Sequence, residues 1–269
     1  MIKNRGGVSL FTFTNFFAAS TIEEAYNELI KNRRNVILGG TSYLRMGNTN
    51  YNTAIDISNV TDIDKIIETE ENFEIGAMAS FRQLETDKDL YEWFPVISHA
   101  VEDIVGVQLR NNIRIGATVF TRHGFSDLIT ALLCLDTYVV LYKGGVLRLE
   151  DFLNEKEIRK DILVKITIKK EKLVSSFKCV RKSKADYSVL NMAVSKNENG
   201  NIRISVGARP GKAVLAHETM KYLSENSDVK SASEIMRREI KFGSNMRGTE
   251  EYRRLLSAAL LEKALKEVE

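Results

Sequence analysis

Early in the chain apolar residues recur with a helical period. Ile22, Ala25, Tyr26, Leu29 and Ile30 share one face, Ser20 or Thr21 stands where an N-cap belongs, and Glu23 or Glu24 follows three residues later. An amphipathic helix is predicted there. The short apolar runs Val36–Leu38, Thr53–Ser58 and Phe73–Met78 read as strands, the first running into Gly39-Gly40. Ser80 can cap a short helix through Leu84, and the spacing of Val96, Ile97, Ala100, Val101 and Ile104 predicts a helix over 94–105. Ser126 suits the cap of an apolar helix, Asp127–Leu135, whose first-turn carboxylate complements the helix dipole. Lys143-Gly144-Gly145 between two apolar runs predicts a hairpin, and so does the polar stretch 196–201 between Tyr187–Ser195 and Ile202–Gly207. The charge-rich stretch 156–172, around one strand at Ile162–Ile168, marks the passage between domains. Helices follow at 212–223, 232–239 and 249–268. The pattern is that of an N-terminal α+β domain, 1–167, followed by a smaller α+β domain, 168–269, with an antiparallel sheet and helices.

Composition narrows the function. Of 269 residues, 39 are basic and 36 acidic, so the net charge of +3 creates no broad field to attract nucleic acid or an anionic membrane. Met1-Ile-Lys-Asn-Arg-Gly-Gly leads into no secretory-type apolar segment, and no apolar run approaches the ~20 residues of a membrane span; a cytoplasmic location is expected. The two cysteines, Cys134 and Cys179, form no Cys-x-x-Cys pattern, so no disulfide framework, zinc site or iron-sulfur cluster is expected in this chain. His99 and His217 stand at no metal spacing and are read as structural or exposed, while His123 is read as a surface histidine in preference to a proton-handling group.

A strand that ends in Gly39-Gly40-Thr41-Ser42 offers successive backbone N–H groups that can converge on an anion, with two hydroxyls beside them. A tight turn is the plainer reading of those four residues alone. The Gly-x-Gly-x-x-Gly of a Rossmann fold is absent, so a dinucleotide would need another scaffold. A second glycine-bearing segment, Val107-Gln-Leu-Arg-Asn-Asn-Ile-Arg-Ile-Gly-Ala-Thr118, precedes Ser126-Asp127-Leu128.

In order, Gly39-Gly-Thr-Ser42, Ile75-Gly-Ala77, Gln108-Leu-Arg-Asn111, Ile115-Gly-Ala-Thr118 and Ser126-Asp-Leu128 resemble the FAD-binding subunits of xanthine dehydrogenase and carbon monoxide dehydrogenase-type molybdenum hydroxylases. The likeness continues through Phe177-Lys178, Arg181, Asp186, Ile204–Ala208 and Glu250–Arg254, covering nearly the whole chain. It implies a two-part FAD-binding domain of the PCMH, or vanillyl-alcohol-oxidase-like, type. The cofactor implied is FAD, and the partners are an iron-sulfur subunit and a molybdopterin-binding subunit. NAD is the implied acceptor. By position, the resemblance puts the first pyrophosphate loop at Ile37, Leu38, Gly39, Gly40, Thr41, Ser42, Tyr43 and Leu44. It puts the second loop at Arg114, Ile115, Gly116 and Thr118, ring neighbours at Ile104, Leu163 and Lys178, and a contact to the adenosine part at Asp127. A lysine beside the N1/C2 edge would stabilise charge on the reduced ring. No side chain is assigned acid–base or covalent chemistry.

Three residues depart from the family's second loop: Arg114 stands for Ser or Thr, Ala117 for glycine and Thr118 for asparagine. Arg114 either supplies charge to the pyrophosphate or points into solvent. Ala117 and Thr118 leave open a flavin-free scaffold, and because the same type of FAD domain occurs in free-standing reductases, that alternative stays open too. The run Arg181–Lys184 is read either as a solvated face or as serving flavin, NAD phosphates or subunit docking. The last helix, with Tyr252, Leu256, Ala259 and Leu260 on one stripe, is read as core packing.

Overall fold

The computed structural model describes residues 11–157 and 160–269; the leader reading at 1–7 lies outside them. Strand β1 (Thr12–Ala18), helix α1 (Ile22–Lys31) and strands β2 (Val36–Leu38) and β3 (Asn50–Asp56) form a parallel three-stranded sheet, ordered β1-β3-β2. Thr21, not Ser20, caps α1: its hydroxyl accepts from the Glu24 amide at 3.1 Å, and Glu24 Oε2 accepts from the Ser20 amide at 2.8 Å. The strand at Thr12–Ala18 was not legible as one, because all but one of its residues are exposed and no alternation survives.

Strands β4 (Ile66–Glu68), β5 (Asn72–Gly76), β6 (Thr137–Leu141), β7 (Gly145–Arg148) and β8 (Leu163–Lys169) make an antiparallel sheet ordered β4-β5-β8-β6-β7. Between β5 and β6 run six helices: α2 (Phe81–Thr86), α3 (Lys88–Trp93), α4 (Pro95–Val101), α5 (Val107–Arg110), α6 (Ile115–Thr121) and α7 (Asp127–Leu133). Helix α8 (Leu149–Asn154) joins β7 to β8. Ser80 forms a full capping box with Gln83. The helix expected over 94–105 stops at Val101, and the chain then turns through Val105 at a φ of +48° before α5 begins. The Lys143-Gly144 turn is held by the buried Asp161 carboxylate, which accepts from both amides.

The third sheet is antiparallel, ordered β12-β11-β10-β9: β9 (Leu173–Arg181), β10 (Ser188–Asn197), β11 (Ile202–Gly207) and β12 (Val214–Leu215). Helices α9 (His217–Glu225), α10 (Val229–Glu239) and α11 (Glu250–Val268) cover one face of it. Leu190, Met192 and Val194 of β10 join their core, while Ala193 and Phe177 join the core of the first two sheets. Sheet three is therefore clasped on both faces. The contact is close at α7, where a Cβ on Gly207 of β11 would meet Thr130 Oγ1 at 2.1 Å. Helix α11 buries Arg253, Ser257, Leu260, Leu261, Ala264, Leu265 and Val268; Tyr252, placed on the buried stripe by sequence, is 45% exposed. Among the described residues no helix is long and apolar enough to cross a membrane.

Candidate functional site

The first loop leaves the end of β2, which parallel pairing with β3 aims along the sheet: Val36 lies opposite Ala54 and Leu38 opposite Asp56. Gly40 and Thr41 then take successive left-handed conformations, with φ of +79° and +59°. For the β-branched Thr41 this is strained, a cost of roughly 1–3 kcal/mol that proteins retain where a particular backbone shape is needed. The carbonyl of Thr41 accepts from the Arg45 amide at 3.0 Å and closes the turn into a short 3-10 segment, Leu44–Met46. Among the described residues the amides of Gly40, Thr41 and Ser42 donate to no protein acceptor. Neither glycine admits a side chain: a Cβ on Gly40 would lie 1.7 Å from the Asn112 carbonyl oxygen, and one on Gly39 2.4 Å from Ala117 Cβ.

What sequence suggested as a second loop is the start of α6. The segment is pinned to the end of β5: Phe81 N–H donates to Ile113 O, Ile115 N–H to Ala79 O and Gly116 N–H to Ala77 O, all within 3.0 Å. Gly116 is required because a Cβ there would stand 2.6 Å from Ala77 Cβ. Ala117 lies inside the helix at an ordinary negative φ, and its methyl rests against Gly39. The exchange of a glycine for alanine on one loop is thus matched by a glycine on the other. The Thr118 hydroxyl donates to Arg114 O at 3.0 Å. Arg114 does not run into solvent. It lines the same cavity as the first loop, its Cγ passes 3.2 Å from where a Gly40 Cβ would stand, and its Nη1 donates to Met78 O at 3.0 Å. Its Nε is buried without an acceptor.

Both segments wall one cavity of about 680 Å³, within the ~300–1,000 Å³ typical of cofactor sites. Ile37, Gly39, Thr41, Ser42, Tyr43, Leu44, Ile104, Arg114, Gly116, Thr118, Asp127 and Leu163 all lie on its walls. Ile104 is presented by Arg110, which is buried, bonds its carbonyl at 3.1 Å and is itself held by both Glu85 oxygens at 2.8 and 3.0 Å. Those bonds, with Arg82, hold the Glu85 carboxyl below its ordinary range despite partial burial.

Four expected residues are off the walls. Leu38 alternates with Ile37 along β2 and so faces the other way; Gly40 is pressed on Asn112; the side chain of Ile115 is fully buried in the core. Lys178 is the fourth, and the period of two along β9 explains it. Phe177 and Cys179 face the first domain, so Lys178 faces α11, where its ammonium is paired with Glu267. This pair, together with Ser176, holds Glu267 below its ordinary carboxyl value.

Asp127 reaches the cavity wall but its carboxylate is engaged. Oδ1 accepts from Ser188 Oγ at 2.6 Å and from Asn191 Nδ2, and Oδ2 accepts from Arg181 Nη2 at 2.5 Å. Burial pushes its pKa up, and Arg181, Ser188 and Asn191 oppose that push. Arg181 itself lines the cavity, a position that the reading of 181–184 as one charged run hid. An aromatic stack that sequence did not single out stands at the same end: Tyr43 on His123 with ring centroids 4.2 Å apart, His123 on Phe125 at 5.0 Å, and Phe125 on Tyr187 at 4.4 Å. Burial lowers the His123 pKa, and burial beside the Tyr187 phenol pushes Tyr43 up to about 12. Both stay neutral near pH 7. Among the described residues no cluster of three or more His, Cys, Asp or Glu is placed to hold a metal.

Residues 11–171 match the family described as the FAD binding domain in molybdopterin dehydrogenase, and residues 175–268 match the CO dehydrogenase flavoprotein C-terminal domain. The chain is 25% identical over 187 residues to the protein YgfM of Escherichia coli (strain K12), covering 70% of this chain and 69% of YgfM. It is 27% identical over 138 residues to the xanthine dehydrogenase FAD-binding subunit of Escherichia coli O157:H7, covering 49% and 47% of the two chains. Its fold is similar to that of reconstituted CO dehydrogenase from Oligotropha carboxidovorans, with a TM-score of 0.86 at 19% identity over 94% of this chain and 96% of the other.

Proposed function

The chain belongs to the family of FAD-binding domains of molybdopterin dehydrogenases, and from that premise we propose that it is the FAD-carrying electron-transfer subunit of a molybdenum hydroxylase. Its partners are an iron-sulfur subunit and a molybdopterin-binding subunit, its acceptor is NAD, and it works in the cytoplasm. On this reading residues 1–167 are the flavin-binding domain and 168–269 the C-terminal domain, a division supported by the break between β8 and β9.

One observation carries the reading. Among the residues that line a largely apolar cavity, Thr41 and Ser42 have amides without protein acceptors and Arg114 has a buried Nε without one, and the side-chain-free Gly40 lets their two loops meet. That donor set fits a pyrophosphate: backbone N–H groups and one guanidinium stabilise two negative charges with no counter-ion from water. Ile104 and Leu163 supply apolar wall for a planar ring. FAD held there would supply the redox chemistry, taking electrons from the iron-sulfur side and passing hydride to a nicotinamide. What this chain contributes is to bind and orient the cofactor, to exclude water and to set the charge around it.

Visible spectroscopy of the purified chain tests this. Flavin bands on addition of FAD, and NADH-driven reduction of a dye by the loaded chain, are expected. A chain that takes up no FAD overturns the proposal, and one that takes up FAD but is not reduced by NADH overturns the choice of acceptor.

A further inference from the structure

Two arginines line the cavity with a buried Nε that has no protein acceptor, and only Arg114 belongs to the phosphate-type cradle. The other, Arg181, has a side chain only 9% exposed. Its Nη1 donates to Asp103 O at 3.0 Å and its Nη2 to Asp127 at 2.5 Å. A guanidinium carries five N–H donors, and buried donors are rarely left unanswered in folded proteins. Arg181 stands on the side where Ile104 and Val105 make the wall apolar, next to the Asp103 carbonyl it binds. Among the described residues no hydrogen bond joins it to Thr41, Ser42 or Arg114. Asp127, by contrast, has three protein donors on its two oxygens and is 6% exposed. Ser188 and Asn191 hold its charge toward sheet three, and Asn191 is in turn fixed by the Thr130 hydroxyl at 2.9 Å.

We infer that Arg181, rather than Lys178, is the positive side chain facing the flavin ring, and that Asp127 is a positioning residue which holds Arg181 in place rather than a direct ligand of the cofactor. The inference rests on the FAD-binding reading above. Positive charge beside the electronegative edge of the ring favours its reduced, electron-rich form and so raises the midpoint potential. Lys178 cannot do this from the α11 side, where Glu267 neutralises it. The clasp also ties the potential to domain contact, because Arg181, Ser188 and Asn191 come from the third sheet and Asp127 from α7.

The midpoint potential is measured by dye equilibration on the full chain loaded with FAD, and ADP affinity by calorimetry on the full-length apoprotein. Arg181→Met is expected to lower the potential while keeping ADP affinity within about twofold of the parent. Arg181→Lys keeps most of the potential. Asp127→Asn lowers it in the same direction, and Asp127→Asn combined with Arg181→Met gives no further drop, as a residue acting through another must. Lys178→Met leaves the potential unchanged. Should the single Arg181→Met chain not fold because it strands a buried carboxylate, the double variant gives the same reading without that charge. An unchanged potential in FAD-loaded Arg181→Met overturns the inference, as does a Lys178→Met shift of equal size. A roughly tenfold loss of ADP affinity with the potential retained also overturns it, since Arg181 would then serve the pyrophosphate. Failure of the parent chain to take up FAD is a separate outcome that sinks the functional reading instead.

Discussion

Replacing Gly40 with alanine burdens one residue in two ways. At a φ of +79° a residue with a Cβ loses roughly 1–2 kcal/mol relative to glycine. The new Cβ would also lie 1.7 Å from the Asn112 carbonyl oxygen, a backbone atom that cannot rotate away, so the segment leading to Arg114 must retreat. Overpacking of that kind typically costs another ~1–3 kcal/mol. The sum is about 2–5 kcal/mol. Gly145→Ala is the matched control: its φ is +71°, but nothing lies within 4 Å of the new Cβ, so only the conformational part applies. Urea unfolding of both variants isolates the steric difference. Retreat of Asn112 draws Arg114 away from the first loop, so FAD affinity should fall at least about tenfold in Gly40→Ala and stay near the parent in Gly145→Ala. Equal unfolding costs for the two, or undiminished FAD binding by a folded Gly40→Ala chain, would refute the account of how the loops meet.

Ala117→Gly restores the residue usual in the family, yet it is expected to cost about 0.5–1 kcal/mol in thermal or urea unfolding and to bring no gain in FAD affinity, because the site is helical and Gly39 already makes room for the methyl. Glu267 has a folded-state pKa lowered chiefly by Lys178, so its contribution to stability is present above its ordinary value of 4.5 and is lost as pH falls through the lower folded value; Glu267→Gln should flatten that part of the acid limb in a pH series of melts. Arg253, fully buried, donates to the carbonyls of Val189, Gly243 and Gly248 and to Asn245 Oδ1. Arg253→Met strands these acceptors and should cost about 3–5 kcal/mol in urea unfolding, with the turn at 243–248 before α11 losing amide protection first.

Much of the fold was legible because its cues are local. Thr21, Ser80 and Ser126 are caps that announce their helices, and the Gly-Gly turn at 144–145 closes the hairpin its neighbours predict. The misses have physical reasons. Helix α6, Ile-Gly-Ala-Thr-Val-Phe-Thr, is poor in helix formers and rich in β-branched residues; it is stabilised by burial of Ile115, Gly116 and Val119, by packing on β8 and by bonds to Ala77 and Ala79 just after β5, which no local pattern reveals. Strand β9 went unread because it lies between two cores, one face on the first domain and one on α11, so its residues mix apolar, polar and charged types without a clean alternation. That omission moved the site as well. With β9 in place, the period of two sends Phe177, Cys179 and Arg181 inward and Lys178 outward, so the cation on the cavity wall is Arg181. In the first loop Leu38 and Gly40 also leave the cavity wall, the one by the period of two along β2 and the other by its contact with Asn112.

The central claim is that two loops and Arg114 form a pyrophosphate cradle for FAD, and a competition titration tests it most directly. The apoprotein should bind one FAD per chain, ADP should displace it and riboflavin should not, and Arg114→Met should weaken FAD and ADP alike by about tenfold or more. Riboflavin competing as well as ADP, or Arg114→Met binding both ligands like the parent, would contradict it.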